Sequence, residues 1–158
     1  MRFETQLDTV VIAILIAGLL PLICAAIAKW GDKTYDNHNP RGWLASQEGM
    51  RARANAAQQN SLEAFPFFAI GVILASLGGA DGYLLETLSW VYVAVRVAYI
   101  ACYLTDKATL RSIFWVVGHG IVVYLFLQAL WLRIIQFSPA RSEEHTSELQ
   151  SRGLISYA

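Results

Sequence analysis

The chain has 158 residues, of which 56% are hydrophobic and only 15% are charged, and its formal net charge is zero. This composition is more apolar than that of an ordinary soluble domain, and the balanced charge excludes a nucleic-acid partner. Cys24 and Cys102 lie inside apolar runs, which excludes a disulfide framework. His38, His119 and His145 are too scattered for a zinc motif.

Four apolar runs are long enough to be membrane spans, because a helix rises 1.5 Å per residue and the hydrocarbon core is ~30 Å thick. The second run is short by itself. The Ala-, Arg- and Gln-rich segment before it predicts that this helix begins near Ser46. The sequence therefore predicts an all-α integral membrane four-helix bundle. Its spans are residues 10–28, 62–77, 84–104 and 113–135.

Positive charge is distributed unevenly over the three loops between these spans. The second loop has no Lys or Arg, whereas the third carries Lys107 and is followed by Arg111. The positive-inside rule then predicts cytoplasmic first and third loops and both termini outside. The basic residues before the second span are Lys29, Lys33, Arg41, Arg51 and Arg53.

Polar side chains fall on one face of the second helix. Arg53, Asn60 and Glu63 are separated by seven and three residues, which places them within an arc of roughly 80°. Glu63 is also one of two clearly ionisable residues inside the spans, the other being Arg96. Such residues are costly in lipid and usually face a bundle interior or a water-filled cavity.

The third helix carries a second polar row. Arg96, Tyr99 and Tyr103 share a face, and Arg111 stands at the start of the fourth helix. With the residues of the second helix they predict a polar patch that suits a small ligand bearing carboxylates and an amine. Arg111 could hold an anion such as a thiolate. Alternatively, Glu63 and Arg96 pair only to join two helices, and the tyrosines mark the membrane interface.

Two motifs carry a family resemblance. The first is RARANAAQQNSLEAFPFF (residues 51–68), with the core Asn60-x-x-Glu63-x-x-Pro66, and the second is RVAYIACY (residues 96–103), followed by Arg111. Together with the order of the spans they resemble the MAPEG family, membrane-associated proteins in eicosanoid and glutathione metabolism, in its bacterial branch. The resemblance covers nearly all of one predicted domain, residues 1–140.

The resemblance implies a homotrimer in the bacterial inner membrane, with glutathione bound between subunits near the cytoplasmic boundary. It implies that Asn60 and Glu63 contact the backbone and amino group of glutathione, and that Tyr99 and Tyr103 hydrogen-bond it. Arg111 would stabilise the glutathione thiolate for attack on a lipophilic electrophile or hydroperoxide. The glutathione-binding set then comprises Arg53, Asn60, Glu63, Arg96, Tyr99 and Tyr103.

Two other functions are compatible with the same residues. Ala56 and Ala64 stand where glutathione-using members commonly have arginine and tyrosine. A non-catalytic member of the family, which binds a small lipid or a partner, is therefore one alternative. A small four-helix transporter that uses Glu63 as a proton or cation site is another.

The last eighteen residues, 141–158, differ in character from the rest of the chain. The segments RSEEHTSELQS and ISYA at its two ends resemble the translation of a short-read sequencing adapter. We therefore expect an artefact of sequence assembly here that contributes nothing to the fold, the alternative being a natural disordered tail.

Overall fold

The computed structural model describes residues 2–136, and within this range it consists of four long helices and one short helix. The expected adapter-like tail lies outside the described residues. In chain order the helices are α1 (Arg2–Lys29), α2 (Pro40–Ala45), α3 (Gly49–Leu77), α4 (Gly82–Leu104) and α5 (Ala108–Gln136).

Local sequence signals explain where α2 and α4 begin. The Asn39 side chain accepts a hydrogen bond from the Gly42 amide, and Pro40 occupies the first helical position, where a missing N–H costs nothing. The Asp81 carboxylate accepts from the Leu84 amide at the start of α4. Before it, Gly79 adopts a φ of 85°, a conformation that glycine permits in the tight turn after α3.

The four long helices continue beyond the apolar runs that predict them. α3 begins at Gly49, three residues after the expected start near Ser46, and α5 begins at Ala108, five residues before the expected span. The physical reason is that an apolar run marks only the lipid-immersed part of a helix. The backbone hydrogen bonds continue through polar residues in water or at the interface.

The helices form a bundle in which α1, α3, α5 and α4 follow one another around the perimeter, and α3 also contacts α4 across the centre. Small residues of α1 such as Ala13 belong to the buried core, and Gly18 lies against the Phe65 ring of α3, so the two helices can approach closely. At the centre, the Phe68 and Tyr92 rings stack at 3.9 Å with an interplanar angle of 8°. This stack fixes the rotation of α3 against α4.

The outer surface of the bundle is apolar. Large hydrophobic side chains such as Leu15, Phe67, Val116 and Leu127 are exposed on it. Four helices are long and apolar enough to cross a membrane, over Asp8–Lys29, Gly49–Leu77, Gly82–Leu104 and Ala108–Ile135. An apolar exterior around spans of this length is the arrangement of an integral membrane four-helix bundle, as the sequence predicts.

The loop after α1 is tied to the start of α3. Arg51 forms an ion pair with Asp32 at 3.3 Å and donates a hydrogen bond to the Trp30 carbonyl. The Thr34 hydroxyl and amide, and less strongly Arg51, hold the pKa of the Asp32 carboxyl below its ordinary value. Because a depressed carboxyl pKa stabilises the loop above that pKa, these contacts persist at neutral pH and weaken only in acid.

Packing inside the bundle and exposure to lipid predict different responses to the same substitution. Leu125→Ala, at a side chain only 1% exposed, is expected to lower the free energy of unfolding by about 2–5 kcal/mol, because it leaves a cavity. Leu127→Ala, at a side chain 56% exposed, serves as the control with a much smaller loss, because lipid replaces the removed atoms. Denaturant titration in detergent micelles measures both, and equal losses would contradict this packing.

Candidate functional site

Arg96 is the buried charge at the centre of the site. Its side chain is 3% exposed, and its Nη2 atom donates hydrogen bonds to Asn60 Oδ1 at 3.1 Å and to Ser61 Oγ at 2.9 Å. The expected alternative, an ion pair with Glu63, is not formed among the described residues. Neutral partners on α3 therefore hold this guanidinium, and the helix-joining contact is made through Asn60 and Ser61.

The polar row of α4 continues from Arg96 towards α5. The Arg96 guanidinium carbon lies 4.4 Å from the centre of the Tyr99 ring, and the Tyr99 and Tyr103 rings meet edge to face at 5.5 Å. The Arg111 guanidinium carbon lies 4.5 Å from the centre of the Tyr103 ring. Such cation–π contacts contribute about 0.5–2 kcal/mol each. They connect residues that the sequence places on two separate helices.

Several polar groups in this row have no partner in the described part of the chain. The Tyr99 and Tyr103 hydroxyls make no hydrogen bonds there, and the Arg111 guanidinium forms no ion pair. The Asn60 side-chain N–H groups are likewise unpaired within residues 2–136. The row therefore offers donors and two positive charges, on Arg96 and Arg111, that no described carboxylate neutralises.

Arg53 connects the polar end of α3 to the end of α4. Its Nη2 donates to the carbonyl of Leu104, the last residue of α4, and its Nη1 lies 3.9 Å from Asp106 Oδ2. Carbonyls in the last helical turn have no intrahelical partner, so a cation there satisfies one and complements the helix dipole. The buried Arg53 Nε has no hydrogen-bond partner among the described residues. The side chain therefore retains N–H donors that these two contacts do not use.

Glu63 faces out of the bundle. Its side chain is exposed beside the exposed apolar residues Leu62 and Phe67, and it makes no hydrogen bond or ion pair with a described residue. A carboxylate on the apolar surface of a span is unfavourable without a partner. The single chain therefore brings Asn60, Arg96, Tyr99, Tyr103 and Arg111 together but leaves Glu63 beside them on the outer face.

A cavity of about 880 Å³ lies between α3 and α5, with α4 as its floor. Most of its lining is apolar, including Phe67, Leu74 and Phe126, while Arg96 and His119 contribute polar atoms. This volume is within the usual range of ligand sites, ~300–1,000 Å³. The cavity begins beside the polar row, where Arg96 lines it, and is partly open to the outside of the single chain.

Sequence reasoning missed His119 as a member of the site. Its Nδ1 lies 2.9 Å from the Trp115 carbonyl, and the two ring centroids are 3.9 Å apart with the rings tilted by 32°. A carbonyl can only accept, so Nδ1 carries a proton in this contact. The available signal was an ionisable residue inside a predicted span, the criterion that selected Glu63 and Arg96.

No group of three or more His, Cys, Asp or Glu side chains that could hold a metal occurs within residues 2–136. Arginine, tyrosine and asparagine, which make up the polar row, are suited instead to an organic ligand with acceptor groups and negative charge.

The fold and the site define an integral membrane four-helix bundle with a polar cluster where α3, α4 and α5 meet. The sequence model of the MAPEG family matches residues 9–131, and the chain belongs to that family. The family includes glutathione transferases and peroxidases, and its members are commonly trimeric. No curated protein matches the chain significantly.

Removing the Arg53 guanidinium is expected to destabilise the end of α4. Arg53→Gln should lower the free energy of unfolding by about 1–3 kcal/mol, because the Leu104 carbonyl loses a charged donor. Lys107→Gln, at an exposed basic residue in the loop between α4 and α5, is the matched control and should have little effect. Thermal or denaturant unfolding in detergent measures both, and equal stability of the two variants would contradict the capping role.

Proposed function

We propose that the protein is a membrane-embedded, glutathione-dependent transferase or peroxidase that acts on lipophilic electrophiles or hydroperoxides. The observation that carries this proposal is the Arg111 guanidinium, which has no ion pair within the described residues and lies over Tyr103 at the end of a row of free donors. Membership of a family that includes such enzymes supports it.

The chemistry of glutathione is complementary to these side chains. Glutathione carries two carboxylates, one ammonium group, two peptide groups and a thiol. Arg53, whose side chain is 31% exposed, would pair with a carboxylate, and Glu63 would pair with the ammonium group. Asn60, Tyr99 and Tyr103 would donate to carbonyl or carboxylate oxygens, and Arg96 belongs to the same binding set through its contact with Asn60.

Arg111 would be the catalytic residue. A thiol pKa is lowered by a nearby fixed positive charge, which increases the fraction of reactive thiolate at neutral pH. With a carbon electrophile, the thiolate forms the C–S bond as the leaving group departs with the electron pair. With a hydroperoxide, the thiolate sulfur takes the terminal OH as the O–O bond breaks, and the alkoxide that leaves takes a proton from water to become the alcohol. A second glutathione then reduces the resulting sulfenic acid and gives the disulfide and water.

The cavity between α3 and α5 supports a lipophilic second substrate. It is lined mainly by apolar side chains and reaches the buried Arg96 beside the polar row. A substrate dissolved in the bilayer could enter from the lipid-facing side without crossing water. This arrangement would bring the reacting lipid group to the end of the cavity nearest to Arg111.

The exposed position of Glu63 supports a homotrimer. A neighbouring subunit packed on this face would enclose the carboxylate and complete the ligand site. Arg53 and Arg111 lie at the end of the bundle that holds the first and third loops, which the distribution of positive charge predicts to be cytoplasmic. In a bacterial inner membrane the site would then face the compartment in which glutathione keeps thiols reduced.

The non-catalytic alternative is favoured by one observation, the largely apolar cavity, which could bind a lipid without any reaction. The transporter alternative is not favoured by a comparable observation. Arg96 does not neutralise Glu63, but Glu63 lies on the outer face of the chain and not along an interior path.

Glutathione binding and thiolate formation separate these functions. Calorimetric titration of the purified chain in detergent should show glutathione binding in the millimolar range or tighter, and ultraviolet absorbance should show bound thiolate. Arg111→Ala should abolish the thiolate signal with little change in affinity, because only the charge next to sulfur is lost. Arg133→Ala, at the opposite end of α5, is the control that keeps the signal.

Two outcomes would contradict this assignment. An absence of binding at millimolar glutathione would refute glutathione dependence and favour the lipid-binding alternative. A thiolate signal that persists in Arg111→Ala would refute the catalytic role of Arg111 while leaving glutathione binding intact.

The mass of the detergent-solubilised protein tests the assembly. Light scattering with subtraction of the detergent, or native mass spectrometry, should give three chains per particle. A monomer or dimer at every detergent concentration would contradict the proposed role of a neighbouring subunit in covering Glu63.

A further inference from the structure

Exposure divides the polar side chains near Asn60 into two groups. Arg96 is 3% exposed and Ser61 is also 3% exposed, whereas Asn60 is half-buried and Glu63 is exposed. A ligand that enters from the outer face of α3 therefore reaches Glu63 and Asn60 before it reaches Arg96. The Nη2 atom of Arg96 is also occupied, because it donates to both Asn60 and Ser61, and the guanidinium lies over the Tyr99 ring.

The contact between Arg96 and Asn60 has a direction. A guanidinium has five donors and no acceptor, so only the oxygen of the Asn60 side chain can face it. The hydrogen bond from Arg96 Nη2 to Asn60 Oδ1, at 3.1 Å, thereby fixes which way the amide is turned. The Asn60 Nδ2 atom with its two N–H donors is left for the ligand side.

We propose that Arg96 is a positioning residue that holds the Asn60 amide with its N–H groups towards the ligand. The site at Asn60 therefore recognises a hydrogen-bond acceptor, a peptide carbonyl or carboxylate oxygen of glutathione, and rejects a donor at that place. This inference rests on the proposed function and specifies the role of Arg96 in glutathione binding. Arg96 acts through Asn60 and makes no contact with glutathione of its own.

Arginine is suited to this role in a way that lysine is not. The planar guanidinium lies 4.4 Å from the Tyr99 ring centre while its Nη2 atom reaches both Asn60 and Ser61 on α3. An ammonium group is a compact point charge that cannot stack and bridge in one fixed geometry. The stacked plane therefore holds the donor in place for Asn60.

A double-mutant cycle on glutathione affinity tests the inference. Arg96→Met and Asn60→Ala should each raise the glutathione Kd by about tenfold, the effect of losing one hydrogen bond to a charged group. The double variant should show no further loss, because Arg96 contributes only through Asn60. A roughly hundredfold loss in the double variant would overturn the inference, since losses that multiply indicate a direct contact or an independent structural role.

Asn60→Asp is a second variant that does not depend on the folding of Arg96→Met. Its carboxylate still accepts from Arg96, so thermal stability should be retained, but it offers no donors to the ligand. Glutathione affinity should fall as in Asn60→Ala, and an unchanged affinity would overturn the inference. Arg41→Met, at an exposed arginine of α2 outside the site, is the control and should keep the wild-type Kd.

The orientation of the amide can also be observed without glutathione. In protein labelled with ¹⁵N-asparagine, the Asn60 side chain should give one sharp pair of amide resonances, which broadens or splits in Arg96→Met and Arg96→Lys. A sharp, unshifted pair in both variants would overturn the inference. An ordered amide that depends on Arg96, in a wild-type protein that binds no glutathione, would refute the proposed function and retain the positioning role.

Discussion

The guanidinium of Arg96 in the middle of an apolar bundle is the constraint around which the site is built. A buried arginine cannot lose its proton and must therefore find acceptors and a polarisable surface inside the membrane. Asn60 and Ser61 supply the acceptors from α3, and the Tyr99 ring supplies the surface on α4 itself. This requirement joins the two helices at one depth. The ring stack of Phe68 on Tyr92, nearer the other end, fixes their relative rotation.

From this buried contact the polar row leads outward in steps. Tyr99 contacts Tyr103, and Tyr103 lies under Arg111, so the side chains become more accessible towards the end of the bundle. Contacts inside the bundle therefore limit the movement of the side chains that would orient and activate a ligand. The hydroxyl and amide donors of these side chains stay unpaired in the described part of the chain. Preorganised donors of this kind act without reorganising during a reaction, which is why they suit the stabilisation of an anion.

The outer face of α3 differs from the buried polar row, because it carries an exposed carboxylate beside apolar side chains. Glu63 and the cavity beside Phe67 both lie on the outer side of the single chain, and Glu63 has no partner among the described residues. A carboxylate and an apolar cavity side by side suit a boundary between subunits, where a polar ligand and a lipid can meet. In the proposed function the bundle would provide one half of such a site and a neighbouring subunit the other, and the chain belongs to a family whose members are commonly trimeric.

By itself the sequence determined the number of spans and the residues that share a helical face. Arg96, Tyr99 and Tyr103 follow one another along α4 because the helical period fixes position on a single helix. Tertiary structure alone decided which faces meet. It joined Arg96 to Asn60 and not to Glu63, and it added His119 to the cavity. The physical reason is that the rotation and depth of one helix against another depend on how side chains such as Phe68 and Tyr92 interlock, and one-helix periodicity carries no information about that contact.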